Sequence, residues 1–221
     1  MHLIYALTAL VALTAATPAR DWSRTAVRTP AGAHLIGNPA ARVKVIEYSS
    51  FTCPHCGHFA VESAPVLKKQ MIAKGSTSLE VRNLVRDRLD LAAAVIARCG
   101  GAARYATLSQ AIFTAQDQWL PRGAAFEQAN QARVALYPML AQLRSYADGA
   151  GLTAIGTANG LTPRAVDACF ADQTSVDALV TASSTIPPEV TGTPTFYING
   201  RVTPAHDWVT LEPLLRSAGA R

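Results

Sequence analysis

The sequence predicts an α/β fold interrupted by an all-helical insertion. Three features carry that expectation. A β-rich run, Val43 to Tyr48, is followed closely by a helical pattern that begins at Cys53. A long Ala-, Leu- and Gln-rich block separates this half from the next strand. Thr195 to Ile198 then runs into Asn199-Gly200, the strongest hairpin signal in the chain, with Arg201-Val202 as the return strand. With 221 residues, 49% hydrophobic and 16% charged, the chain can bury a sizeable core, which excludes disorder, collagen and coiled coil.

Leu3 to Ala16 is apolar or small, and Thr17-Pro18-Ala19 precede the polar Arg20-Asp21. Residues 1–19 read as a secretory signal peptide cleaved near Ala19, with an n-region that holds no Lys or Arg. The stretch falls short of the roughly 20 apolar residues that span a bilayer. Residues 20–42 are rich in Thr, Ala, Gly, Arg and Pro without steady periodicity and read as an extended lead-in.

Val43 to Tyr48 is apolar on nearly every side chain, as in a central strand covered on both faces. Ser49 to Thr52 supply a turn. Cys53 to Ala73 reads as a helix kinked at Pro65 and stopped at Gly75. Leu79 to Val85 is a second strand. Asp90 to Asp148 is helical in composition, with expected breaks at Gly100-Gly101, at Pro121 to Gly123 and at Pro138. Further helices are expected from Pro163 to Ala171, behind the Thr162 N-cap, from Val176 to Ser183, and from Trp208 to Ala218. Residues 43–86 and 186–221 would form one domain, and residues 87–185 the helical insertion.

Lys and Arg number 20 against 15 Asp and Glu, a net +5 with no basic run, so nucleic acid is not expected as a partner. Four cysteines are too few for a disulfide scaffold, but two of them stand in Cys53-Pro54-His55-Cys56. A thiol at the start of a helix faces unpaired N–H groups and the positive end of the helix dipole, which lowers its pKa. Cys53 is then the nucleophile and leaving group of disulfide exchange, and Cys56, one turn later, the resolving thiol. His55 would stabilise the thiolate further, and Pro54 suits the first helical turn.

Cys53, Cys56 and His58 could instead hold zinc or copper. A closed structural zinc site needs four ligands, and neither a second CxxC nor a paired His follows, so no metal is expected. Covalent haem needs His directly after the second cysteine, where this chain has Gly57. His58 reads as a solvent-facing helix residue. Cys99 and Cys169 either pair or stay buried as thiols. An even count in an exported protein favours the pair, a structural bridge worth about 4 kcal/mol by loop closure.

With CPHC set in EYSSFTCPHCGHF, the chain resembles the DsbA-like branch of the thioredoxin superfamily. The resemblance rests on Glu47 six positions before Cys53, the CPHC itself, the helical block, and GTPTFYING from Gly192 to Gly200. It covers Gly37 to the C-terminus. It implies a thioredoxin-like fold whose helical insertion caps the site, and a cis Thr193-Pro194 bond beside the cysteines that pairs with extended substrate. It implies that Glu47 is a buried acid that exchanges a proton with Cys56. It also implies an apolar groove near Phe51 and Phe196. Relatives with a second disulfide in the helical part agree with a Cys99–Cys169 bridge. The implied activity is periplasmic thiol:disulfide oxidation of reduced exported proteins, with no cofactor beyond the redox disulfide and with a membrane quinone-linked partner for reoxidation. Thr193 before the proline points to the alternative of an isomerase or reductase. Such isomerases carry an N-terminal dimerisation module, for which Asp21 to Arg42 is too short.

Overall fold

The computed structural model describes residues 20–221, and the signal-peptide reading of residues 1–19 lies outside them. Six strands form one sheet in the order β1-β2-β4-β3-β5-β6. They are β1 (Ala26–Arg28), β2 (His34–Gly37), β3 (Val43–Ser49), β4 (Thr77–Asn83), β5 (Thr195–Ile198) and β6 (Arg201–Val202). The β3–β4 pair is parallel and the other four pairs are antiparallel.

The lead-in is the first correction to the sequence reading. A short 3-10 turn, Trp22–Arg24, precedes β1, and β1 and β2 extend the sheet beyond β4. Three- and four-residue strands are too short to show a period. Their place comes from pairing to β4, where Leu35 faces Glu80 and Ile36 faces Leu79.

β3 lies in the middle of the sheet, between β4 and β5. Val43, Val45, Glu47 and Ser49 share one face, and all four are buried. Ile46 and Tyr48 point to the other face, against Val190 and Tyr197. Directly paired residues share a face, so His34, Val81, Glu47 and Phe196 form one row across β2, β4, β3 and β5. That row carries two titratable groups under the helices that cover the sheet.

α1 (Pro54–Ser63) continues without a break into a π-helical segment, Ala64–Ile72. The kink expected at Pro65 is replaced by this change of register. Proline offers no N–H to the α ladder, and by Ala73 the bond runs five residues back, from its N–H to the Lys68 carbonyl at 3.2 Å. Gly75 ends the run at positive φ.

Between β4 and β5 lie α2 (Arg88–Cys99), α3 (Gly101–Thr114), α4 (Gln116–Val134), α5 (Met139–Ala150), α6 (Leu152–Ala158), α7 (Pro163–Cys169) and α8 (Gln173–Ser184). α9 (Trp208–Ser217) ends the chain's regular structure. α2 is the centre of the block, with Ala92, Ala93, Ala94, Ile96 and Ala97 fully buried. The break expected at Pro121 to Gly123 is absent, because α4 runs through both residues and starts instead after Ala115. Gly123 is a packing position there. A Cβ on it would come within 2.9 Å of Leu89 and 3.1 Å of Ala150, so its small size lets the helices approach. Cys99 and Cys169, the last residues of α2 and α7, are joined in a disulfide with Cα atoms 5.6 Å apart.

Candidate active site

β3 delivers the chain to a buried turn, Ser50 to Thr52, and Cys53 then caps α1. Cys53 is extended, at φ −89° and ψ 118°, and Pro54 occupies the first helical position. No side chain caps this helix, so the His55 and Cys56 amides are left to the Cys53 sulfur. Thr193-Pro194 is cis and enters β5 on the other side. The Cys53 sulfur lies 3.2 Å from the Thr193 carbonyl oxygen, to which only its protonated form can donate.

The two sulfurs titrate in opposite directions. Cys53 is pulled down to about 5, first by the Cys56 thiol that donates to it, against a burial cost, and then by the Thr193 hydroxyl and the Cys56 and His55 amides. The sequence reading credited the helix end; the neighbouring thiol is the larger cause. Cys56 is 0% exposed, and burial drives its pKa upward, helped by Cys53 and by the Glu47 charge. One sulfur is therefore poised as an anion and the other as a proton-bearing thiol.

Glu47 lies on the covered face of the central strand, 4% exposed, with Oε1 lacking a hydrogen-bond partner. Burial raises its pKa to about 7, opposed by the Ser49 hydroxyl and assisted by the Cys53 charge. A carboxyl that titrates near neutrality beside a thiol of raised pKa is able to hold a proton and give it up.

Three residues that sequence reasoning did not single out hold the turn, and all three belong to the inserted helices or their caps. Asp90, fully buried, accepts from the Ser50 hydroxyl at 2.6 Å, the Phe51 N–H at 2.8 Å and the Arg86 N–H at 3.0 Å. Asp87, the N-cap of α2, accepts from the Thr52 hydroxyl at 2.8 Å and the Asp90 N–H at 2.8 Å. The Gln116 amide donates to the Phe51 carbonyl at 2.7 Å and the Cys53 carbonyl at 2.9 Å. The spacing of Asp87 and Asp90 is an N-cap signature that could have been read, whereas Gln116 carries no local signal.

Pro54, His55 and His58 are exposed. Among the described residues no three His, Cys, Asp or Glu side chains converge as metal ligands, so Cys53, Cys56 and His58 do not form such a group. The apolar groove is placed differently from the expectation. Phe51 packs on Phe113 at 4.6 Å and Phe196 on Phe59 at 4.5 Å, both fully buried, because their positions put the rings on the covered side of the sheet and turn. The cleft beside Cys53, about 550 Å³, is lined instead by Leu84, Arg86, Ile186, Val190 and the residues from Thr191 to Thr193.

A family model described as thioredoxin matches residues 29–216. The crystal structure of a protein-disulfide isomerase from Novosphingobium aromaticivorans is 33% identical, with a TM-score of 0.77 over 85% of this chain and 98% of that one. Alpha-DsbA1 of Wolbachia pipientis is 22% identical and shares the fold, with a TM-score of 0.65 over 86% of this chain and 92% of that one. A Rickettsia conorii protein that carries the provisional name protein-disulfide oxidoreductase is 29% identical over 75% of this chain and 53% of its own length. The chain thus spans about half the length of the curated relatives it matches. From the cis-proline beside a CPHC pair, the helical block between β4 and β5, and these matches, the chain belongs to the thioredoxin family, with the DsbA-like architecture of a helical domain set into the thioredoxin fold.

Proposed function

We propose that this chain is a thiol:disulfide oxidoreductase that works as an oxidase, passing the Cys53–Cys56 disulfide to reduced exported proteins. The observation that carries this reading is the placement of the Cys53 sulfur at the start of α1, where no side chain caps the helix and the His55 and Cys56 amides and the Cys56 thiol favour its thiolate, because whatever favours the thiolate favours the reduced pair and makes the disulfide an oxidant. A substrate thiolate attacks Cys53 Sγ, the S–S bond breaks, and Cys56 leaves and takes up a proton, with Glu47 as the nearby acid. A second substrate thiolate then attacks the substrate sulfur of the mixed disulfide and expels Cys53 as a thiolate. The substrate loses two electrons, and the pair gains them. An extended substrate lies along the Thr193-Pro194 backbone in the cleft edged by Leu84, Ile186 and Val190.

Export to the periplasm, through cleavage near Ala19, and reoxidation by a membrane quinone-linked partner complete the proposal. Cell fractionation with and without residues 1–19 tests the location. Isomerase activity is the second reading, favoured by Thr193 before the cis-proline and by the likeness to the Novosphingobium protein-disulfide isomerase. Equilibration with glutathione and an oxidative-folding assay on a reduced substrate separate the two. A pair as reducing as thioredoxin's, about −270 mV, would remove the oxidase reading. Efficient rescue of a scrambled substrate would favour isomerisation.

A further inference from the structure

We propose that the cavity of about 270 Å³ bounded by β1, β2, α2 and α8 binds a small oxyanion, a phosphate or carboxylate group, through Arg98, Arg28 and His34. It shares no lining residue with the cleft beside Cys53.

Arg98 supplies the first argument. Its guanidinium is pressed into the protein, and its hydrogen bonds, from Nε and Nη2, go to one neutral acceptor, Asn83 Oδ1, at 3.4 and 3.2 Å. The ion pairs among the described residues involve Arg24, Arg82, Arg144 and Arg216, not Arg98. A desolvated cation without a counter-charge is costly, and here Arg28, lining the same cavity, adds a second positive charge.

His34 supplies the second. It is 3% exposed, stacked on Tyr105 with ring centroids 3.9 Å apart, and its Nδ1 has no partner. Burial, then the charges of Arg98 and Arg28, push its pKa down to about 3, so the ring is neutral and able to donate one N–H. Asp172 is the one carboxylate on the lining, and it is engaged as the N-cap of α8, accepting from the Ser175 N–H at 3.0 Å and the Ser175 hydroxyl at 2.6 Å. Two guanidinium groups against one carboxylate leave the cavity net positive. Val95, Val176 and the Cys99–Cys169 bridge form an apolar wall that strengthens this field. A guanidinium fork fits two oxygens of one group, which selects an oxyanion over a halide.

Thermal unfolding of the oxidised protein in phosphate, in succinate and in chloride at equal ionic strength tests the site and separates its two ligand sources. The expected result is a saturable rise in Tm with phosphate or succinate and none with chloride, together with an upward shift of the His34 ring titration by NMR when the anion is bound. Arg98→Met should abolish both responses, and Arg28→Met, at an exposed position that folding tolerates, should weaken the apparent affinity by about tenfold. A Tm rise shared equally by the parent and the Arg28→Met and Arg98→Met variants would be general salting-out and would overturn the site. So would the lack of any saturable response. Neither outcome bears on exchange through Cys53, which can be measured in the same samples.

Discussion

The Gln116 side-chain amide donates to the Cys53 carbonyl at 2.9 Å, so the first residue of α4 holds the residue that caps α1. The same amide holds Phe51, and the Gln116 side chain lies over Gly57, where any Cβ would overlap it. The inserted helices therefore do more than roof the site. They fix the backbone from which α1 starts, and Asp87 and Asp90 fix the same turn from α2.

Gln116→Ala leaves two carbonyls of a buried turn without this donor. The expected cost is about 1–3 kcal/mol in urea unfolding, accompanied by a change in the Cys53 pKa. Gln116→Glu should cost more, since a carboxylate oxygen would face both carbonyls. Unchanged stability and unchanged thiolate titration in both variants would show that the contact is idle.

The Cys53 anion depends first on the Cys56 thiol, so Cys56→Ala should raise the Cys53 pKa from about 5 toward that of a free thiol, read by thiolate absorbance. The sign for stability follows from a depressed folded-state pKa. The stabilisation of the reduced form is full above the unfolded value of 9.0 and disappears as pH falls through 5. Reduced and oxidised protein unfolded in urea at pH 7 and pH 4 should show that difference narrowing in acid.

For Glu47 the sign is opposite. Its folded-state pKa is raised from 4.5 to about 7, so the folded state bears no penalty below pH 4.5 and loses stability as pH rises through 7. Glu47→Gln should therefore gain about 3 kcal/mol on the parent between pH 4 and pH 8. The same variant should release Cys56 more slowly in stopped-flow exchange. A gain that does not vary with pH would place the carboxylate outside the titration.

Cys99→Ala with Cys169→Ala removes a bridge between residues 70 apart in sequence. About 4 kcal/mol of stability should go with it, seen as a lower urea midpoint. Exchange through Cys53 should continue at the parent rate at temperatures where the variant stays folded.

The cis Thr193-Pro194 bond was expected only from the family resemblance, while the strand–turn–helix that carries CPHC, the helical block and the β5–β6 hairpin were legible in the residues themselves. Each is set by short-range chemistry: a β-branched run, a proline at a helix start, an Asn-Gly turn at positive φ. Pro121 misled because a helix packed through Trp119 and Gly123 tolerates the loss of one internal hydrogen bond. Lead-in strands β1 and β2 were illegible because residues so few show no period and owe their conformation to β4.

Sequence patterning placed the CPHC pair at a helix start, but not the neighbours that surround its first sulfur. That the Cys56 thiol joins the helix amides in holding the Cys53 sulfur, and that Gln116 reaches a residue 63 positions away, became visible only in three dimensions. The reason is physical. A hydrogen bond or a desolvation penalty depends on distances across the folded chain, and the side chains that make them, distant in sequence, leave no periodic mark on it.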